Sequence, residues 1–299
     1  MNKRILTALL VTAALAGACA DDSTDVATEP AGPAPTEAAD LPQRIVSLSP
    51  TATEMLFAIG AGGQVVAVDE QSNFPPEAPT TDLSGFNPNL EAITTYQPDL
   101  VVLSGDRDGL VAGLETLGIE TIVNEVAVTL DDTYDQIAGL AIATGHEDEG
   151  AEVVAGMRRD IDALVARVPE RPEPLTYYHE LDDTLYSVTS DTFIGQIYAL
   201  AGLKSVADAA DPTGEFGGYP QLSPELVVDA DPDFIFLADT KCCGQSAETL
   251  AQRPGFETLS AVAEGRVVAL DDDIASRWGP RVVDFLATVV EATATVPVA

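Results

Sequence analysis

Short apolar runs alternate with longer amphipathic stretches along most of the chain. Seven runs predict buried strands: residues 44–48, 65–68, 100–103, 121–123, 175–179, 233–237 and 266–270. The segments between them have helical periodicity or turn residues. Apolar strands that alternate with helices are typical of mainly parallel sheets covered on both faces. The sequence therefore predicts an α/β fold.

One part of this pattern occurs twice. Residues 91–105 (EAITTYQPDLVVLSG) match residues 225–239 (ELVVDADPDFIFLAD) at an offset of 134 residues. Each copy predicts a short helix, a Pro-Asp turn and an apolar strand. A weaker match relates residues 51–66 to residues 192–207. The repeat predicts two similar α/β lobes.

A different pattern, typical of one long helix, covers residues 147–168. Apolar side chains at one face of that helix are Val153, Val154, Met157, Ile161, Leu164, Val165 and Val168. At a rise of 1.5 Å per residue, the helix would span about 33 Å. Prolines follow it closely. We therefore expect a bridging helix between an N-terminal lobe, residues 43–146, and a C-terminal lobe, residues 169–299.

The N-terminus predicts an export signal with a lipid anchor. Residues 1–18 carry two basic residues, an apolar run and the small residues Ala-Gly-Ala directly before Cys19. This arrangement resembles a bacterial lipobox, which implies lipid attachment at Cys19. The alternative is an ordinary signal peptide with an incidental cysteine. Residues 19–42 are small, acidic or proline, so we expect a disordered tether.

Composition narrows the range of partners and chemistry. The formal net charge is −35, which argues against nucleic acid or anionic lipid as a partner because both bind basic surfaces. Neither a GxSxG elbow, a Gly-rich phosphate loop nor an HExxH motif occurs, and the chain has two histidines. The sequence therefore predicts no catalytic residue, no metal site and no cofactor, and we expect a protein that is not an enzyme.

Ligands of open parallel sheets bind beyond the carboxyl ends of the strands. Here those ends carry residues 49–51, 69–74, 105–108, 180–186, 239–244 and 271–278. We expect the two rims to face each other across a ligand cleft between the lobes. Thr51 and Glu54 have the spacing of a capping box for the helix that follows the first strand.

Four separated segments carry a family resemblance. They are RIVSLSPTATEMLFAIG, NLEAITTYQPDLVVLSG, LSPELVVDADPDFIFLAD and VVALDDDIASRWGPRVVDFLA. In this order they resemble the iron-siderophore and cobalamin family of ABC-importer solute-binding proteins. The resemblance implies two α/β lobes joined by one rigid helix, and an extracytoplasmic monomer anchored to the cell membrane. It also implies capture of a metal chelate, either a corrinoid or a ferric siderophore, and its delivery to an ABC permease and ATPase.

The resemblance also implies a contact with the permease. Family members dock one glutamate from each lobe onto permease arginines, and the matching positions are Glu91 and Glu225. An alternative role is compatible with docking. Each acid follows a capping residue, Asn89 or Ser223, and so stabilises the first turn of a helix.

Nine residues at the predicted rims are candidates for ligand binding. They are Ser49, Pro50, Thr51, Phe86, Arg107, Tyr186, Tyr219, Arg277 and Trp278. Large chelate rings bind by aromatic contact with a few polar anchors. Packing in the core is the alternative for Trp278. We expect a structural role for His179, with coordination of a ligand metal as its alternative, and at least one core position for the adjacent Tyr177 and Tyr178.

Cys242 and Cys243 are adjacent and follow a predicted strand, so we expect them at the cleft. An oxidised turn with a vicinal disulfide, soft-metal coordination and inert thiols all remain open. The pair also leaves an alternative function open, a thiol-dependent extracytoplasmic enzyme or a ligand sensor.

Overall fold

Two parallel β-sheets organise the chain. The structure is a computed structural model that describes residues 41–298. The strands of the first sheet are β1 (Ile45–Leu48), β2 (Val65–Asp69), β3 (Thr80–Leu83), β4 (Leu100–Leu103) and β5 (Glu120–Val123). Those of the second sheet are β6 (Leu175–Glu180), β7 (Leu203–Ser205), β8 (Phe234–Leu237) and β9 (Val267–Ala269). The strand orders are β3-β2-β1-β4-β5 and β7-β6-β8-β9, and every pairing within these sheets is parallel.

Helices connect and cover the strands. They are α1 (Pro50–Ala58), α2 (Leu90–Thr94), α3 (Leu110–Thr116), α4 (Leu130–Thr144), α5 (Glu147–Val165), α6 (Phe193–Leu200), α7 (Pro224–Ala230), α8 (Ala247–Ala251), α9 (Ser260–Ala263), α10 (Asp272–Ser276) and α11 (Val282–Thr293). Between residues 41 and 298, none of these helices has the length and apolar character needed to cross a membrane. The predicted α/β fold with two mainly parallel sheets is confirmed.

The internal repeat has a structural counterpart. The four strands β2-β1-β4-β5 and β7-β6-β8-β9 have the same order, so β4 corresponds to β8. The aspartate of each Pro-Asp turn accepts an equivalent backbone hydrogen bond. Asp99 Oδ1 accepts the Arg44 N–H at 3.0 Å, and Asp233 Oδ2 accepts the Thr176 N–H at 2.8 Å. Each aspartate thereby fastens the start of the central strand of its own sheet.

Helix α5 connects the first half of the fold to the second. It begins at Glu147 as predicted and ends at Val165, three residues before the predicted end. It packs against α4 on one side and α11 on the other. Gly150 permits the close approach to α4, since a Cβ there would lie 2.4 Å from the Ala141 Cβ. The domain boundaries at 146 and 169 stay predictions.

The two halves share part of their hydrophobic core. Ile45 of β1, Met157 of α5 and Phe236 of β8 belong to the same cluster of buried side chains. Two further clusters lie one on each sheet. A continuous core that passes through α5 and α11 opposes large movements of one half against the other, because such movements would expose apolar surface.

Two strands at sheet edges were not predicted. β3 (TTDL) is largely polar and β7 (LKS) has three residues, so neither forms an apolar run. Edge strands bury one side and tolerate polar residues on the other. The predictions for residues 1–18, for Cys19 and for nearly all of the tether at 19–42 concern positions outside the described residues.

Candidate functional site

A cavity of about 370 Å³ lies between the carboxyl ends of the first sheet and a loop of the second half. From the first half, the lining residues are Leu48, Ser49, Pro50, Thr51, Asp69, Gln71, Gly85, Phe86, Ser104, Arg107 and Val126. From the second half they are Asp273, Ser276, Arg277 and Trp278. The cavity therefore occupies the cleft that parallel-sheet topology predicts, and both halves contribute to it.

Seven of the nine predicted ligand-binding residues line this cavity. Tyr186 and Tyr219 do not. Tyr219 lines an adjoining cavity of about 50 Å³, which shares Arg277 and Trp278 with the larger one. Tyr186 forms an antiparallel bridge with Gln221 and leaves 41% of its surface exposed. Contact of any of the nine residues with a ligand stays a prediction.

The turn after β1 supplies one wall. Ser49 is the N-cap of α1, and its side chain accepts the Ala52 N–H at 3.3 Å. Pro50 occupies the first helical turn, where its fixed φ suits the helix and its missing N–H costs nothing. The predicted capping box between Thr51 and Glu54 is wrong, because the helix begins two residues earlier than that pair requires.

Glu54 has a different role, which sequence reasoning missed. It is 3% exposed, and its carboxylate accepts hydrogen bonds from two residues of the second half, Arg277 and Arg281. A buried carboxylate needs such partners. The signal in the sequence is the single charged residue of a helix, but the partners lie more than 220 positions away.

The guanidinium of Arg277 donates hydrogen bonds to four other residues of the protein. Its terminal nitrogens bond to Glu54, Asn73, the Gln71 carbonyl oxygen and Asp273, at 2.8 to 3.0 Å. Its side chain is 8% exposed. Arg277 therefore forms part of the cavity wall and joins the two halves.

Trp278 follows in the same loop. Its indole Nε1 donates to Gln136 Oε1 at 2.9 Å, and its carbonyl oxygen accepts from Thr133 Oγ1 at 3.0 Å. Both partners lie on α4. These bonds hold Trp278 where it lines both adjoining cavities.

Phe86 and Arg107 lie together among the lining residues. Phe86 is 65% exposed, and the Arg107 guanidinium carbon lies 5.4 Å from the centre of its ring. This geometry fits a cation–π contact. Arg107 brings a positive charge to an otherwise acidic protein, and the exposed ring offers an apolar surface for a flat ligand.

The aromatic residues of β6 are buried. Tyr177 and Tyr178 belong to different hydrophobic clusters on opposite faces of the second sheet. His179 is fully buried, and its Nδ1 lies 2.8 Å from the Tyr198 hydroxyl oxygen. Burial lowers the pKa of His179 to about 3, so its imidazole is neutral at pH 7. All three side chains lie in the interior, and the structural role of His179 stays a prediction.

Two carboxylates meet at the carboxyl ends of β6 and β8. Glu180 is fully buried and forms a two-point salt bridge with Arg253. Asp239 is also fully buried, and neither of its carboxylate oxygens has a hydrogen-bond partner within residues 41–298. Burial and the neighbouring Glu180 raise the pKa of Asp239 to about 7.

Cys242 and Cys243 lie on the exposed turn that follows Asp239. The structure pairs their sulfur atoms as a vicinal disulfide, although the bridge itself stays a prediction. Asp272 holds the turn by accepting the N–H groups of Lys241 and Cys242 at 2.9 Å. Neither cysteine is among the residues that line the 370 Å³ cavity.

Glu91 and Glu225 occupy equivalent positions in the two halves. Both are exposed, and each lies in the first turn of its helix, after the capping side chain of Asn89 or Ser223. Their role in docking stays a prediction. Within residues 41–298, no cluster of three or more His, Cys, Asp or Glu residues is arranged to hold a metal ion.

The chain matches a known protein family. The family model described as periplasmic binding protein matches residues 45–274. An uncharacterized ABC transporter substrate-binding lipoprotein of Bacillus subtilis, YvrC, is 28% identical over 261 residues, which cover 84% of this chain and 80% of that protein.

Solved structures agree on the fold. The periplasmic vitamin B12-binding protein BtuF of Vibrio cholerae has 26% identity and a TM-score of 0.68, over 85% of this chain and 97% of that one. The periplasmic heme-binding protein HutB of the same organism has 24% identity and a TM-score of 0.73, over 85% and 99% of the two chains. Because its identity is low, the second likeness concerns the fold alone.

Proposed function

The chain belongs to the periplasmic binding protein family, and from this premise we propose that it captures a metal chelate outside the cytoplasm and delivers it to an ABC importer. The observation that carries the proposal is the cavity between the two halves, which residues from both halves line. A permease and its ATPase would be the partners in transport.

The cavity fits a large ring with polar groups at its edge. Phe86 and Trp278 supply aromatic surfaces, and Arg107 supplies a cation for an acidic substituent. The Vibrio cholerae protein with 26% identity is named for binding vitamin B12. We propose a corrinoid or a ferric siderophore as the cargo, with binding and release rather than catalysis as the activity.

The docking surface would include Glu91 and Glu225. Both carboxylates are exposed, and they are related by the internal repeat. Charge complementarity with permease arginines would orient the receptor on its transporter. The chain would act as a monomer.

We also propose that lipid on Cys19 anchors the protein. The name of the Bacillus subtilis relative includes the word lipoprotein. An anchor would raise the concentration of the receptor at its permease. Cys19→Ala should move the protein from the membrane fraction to the soluble fraction, and persistence in the membrane fraction would exclude the anchor.

The alternative, a thiol-dependent enzyme or sensor, gains no support from the site. Cys242 and Cys243 are not among the cavity-lining residues, so a ligand in the cavity has no defined access to them. Capture for import is the function that the geometry favours.

A titration of the full chain tests the proposal. Trp278 is the single tryptophan of the protein and lines the cavity, so its fluorescence should be quenched when a chelate binds. Cyanocobalamin, a ferric hydroxamate, a ferric catecholate and haemin are added separately, with N-acetyltryptophanamide as the control for light absorption by each chelate. Saturable quenching by one class would identify the cargo. If none of the four saturates the folded protein, the proposed function is wrong.

A further inference from the structure

One buried carboxylate among the cavity-lining residues has an oxygen without a partner. Asp69, the last residue of β2, is 1% exposed. Its Oδ1 accepts the N–H groups of Gln71 at 2.8 Å and Ser72 at 2.9 Å. Its Oδ2 is buried and has no hydrogen-bond partner within residues 41–298. Buried polar atoms are nearly always bonded, so this exception requires an explanation.

Gly85 packs close to that oxygen. A Cβ at Gly85 would lie 2.6 Å from the Leu48 carbonyl oxygen and 3.4 Å from Asp69 Oδ2. Gly85 and Leu48 also line the cavity. Two oxygen acceptors, one from the backbone and one from a carboxylate, therefore lie close to a cavity-lining residue that has no side chain.

The cations of the cavity do not compensate Asp69. Arg277 directs its terminal nitrogens to Glu54, Asn73, Gln71 and Asp273, and Arg107 lies over the Phe86 ring. Neither forms a salt bridge with Asp69 in the described part of the chain. Burial raises the pKa of Asp69, as expected for a carboxyl group without a cationic partner.

A purely structural role explains only one of the two carboxylate oxygens of Asp69. Oδ1 holds the turn after β2 by accepting two backbone N–H groups, and an asparagine would hold the same turn through its single oxygen. The second carboxylate oxygen adds nothing to the turn. It belongs to a residue that lines the cavity.

We propose that Asp69 Oδ2 is a specificity-determining acceptor for an N–H or O–H group of the ligand. The inference rests on the proposed function and narrows its ligand class. The cavity wall at Asp69 should favour an edge that carries amide N–H donors, as in a corrinoid or an amide-containing ferric siderophore, over the carboxylate-bearing edge of haem. A site with a buried polar group discriminates strongly against a ligand that leaves the group unpaired.

The test replaces one hydrogen-bond acceptor with a donor. In Asp69→Asn, the side-chain oxygen keeps the two backbone N–H groups, so Nδ2 takes the place of Oδ2 and presents donors to the ligand. Affinities of the full chain for cyanocobalamin, ferrioxamine B and haemin are measured by calorimetry. We expect the wild-type protein to prefer one of the two amide-bearing probes. The variant should bind that probe about 10- to 100-fold more weakly, while its affinity for haemin stays equal or rises.

Asp82→Asn is the matched control, since it removes an exposed carboxylate from the adjacent strand β3. It should leave all affinities within about twofold. Near-ultraviolet circular dichroism and the melting temperature verify that Asp69→Asn is folded. Equal affinities of the wild type and Asp69→Asn, or an equal loss for all probes including haemin, would overturn the inference without affecting the proposed function. If the wild-type protein binds none of the probes, the proposed function itself fails.

Discussion

Arg281 Nε donates a hydrogen bond to Glu54 Oε2 at 2.9 Å, across the two halves of the fold. Arg277 Nη1 donates to Glu54 Oε1 at 2.8 Å. Glu54 lies on α1 beside the first sheet, whereas both arginines follow the second sheet. One buried carboxylate with two guanidinium partners thus fixes the loop that carries Trp278, and with it one wall of the cavity.

Removal of this carboxylate should be costly. Glu54→Ala leaves Arg277, which is 8% exposed, and Arg281 without the carboxylate that they share. Loss of one member of a buried ion pair typically costs about 3–5 kcal/mol. We expect the free energy of unfolding in urea to fall by about that amount, and chelate affinity to fall with it because the cavity wall is no longer fixed.

Glu152→Ala provides the comparison for Glu54→Ala. It removes an exposed carboxylate from α5 and should change the free energy of unfolding by less than about 0.5 kcal/mol. If Glu54→Ala were no more destabilising than Glu152→Ala, the ion pair would not join the halves.

The buried pair of Glu180 and Asp239 should make stability depend on pH. The pKa of Asp239 is raised from 3.8 to about 7 in the folded protein, so the folded state holds a proton that the unfolded state has released. Protonation of Asp239 therefore contributes to the free energy of unfolding. The contribution is fully present below about pH 4 and is lost as the pH rises through 7. Asp239→Asn should remove it.

Urea unfolding of the wild type and of Asp239→Asn at pH 5, 6, 7 and 8 measures this contribution. The stability of the wild type relative to the variant should decline by up to about 1.4 kcal/mol per pH unit between pH 5 and 7, and level off above it. The exposed Asp183→Asn should show no such trend. A difference that is constant from pH 5 to 8 would mean that Asp239 ionises normally.

Reversal of charge at the two repeat-related glutamates should separate transport from binding. Glu91→Lys/Glu225→Lys is expected to abolish uptake by the reconstituted importer, because permease arginines would meet lysines. Chelate affinity should remain within about twofold, since neither residue lines the cavity. The same change at two exposed positions of α5, Glu149→Lys/Glu152→Lys, controls for overall charge. Normal uptake by the first variant would exclude docking through these residues.

Oxidation of the adjacent cysteines can be counted directly. In a Cys19→Ser background, Cys242 and Cys243 are the remaining cysteines of the chain, and both are exposed. Without reductant, iodoacetamide should add to neither, because an extracytoplasmic compartment favours the disulfide. After treatment with dithiothreitol, mass spectrometry should show two additions. Two additions without reductant would identify free thiols.

Much of the fold was predictable because it depends on local patterns. Five of the seven apolar runs predicted inner strands and the other two predicted the edge strands β5 and β9, while the repeat predicted that β4 and β8 have equivalent places. A buried strand must be apolar on both faces, so the sequence marks it directly. The edge strands β3 and β7 were missed because β3 is largely polar and β7 has only three residues, so neither forms an apolar run.

The candidate site was predictable in position but only partly in detail. Strand ends indicated the rim, and seven of the nine chosen residues line the cavity. Tyr186 and Tyr219 were also chosen from their predicted place at the rim, but they do not line this cavity. The position of a strand end gives the edge of a sheet and not the direction of a side chain. The rim at residues 69–74 was recognised, yet nothing in it indicated that one oxygen of Asp69 would remain unpaired.

The sequence by itself determined the α/β class, the repeat, the long helix and the family resemblance, since each depends on the order of neighbouring residues. Only the tertiary structure decided that Glu54 is the partner of Arg277 and Arg281, that Tyr177, Tyr178 and His179 are buried, and that one oxygen of Asp69 is buried without a hydrogen-bond partner among the described residues. Hydrogen bonds and burial depend on distances between residues that are far apart in the chain. Those distances exist only once the two sheets have packed against α5 and α11.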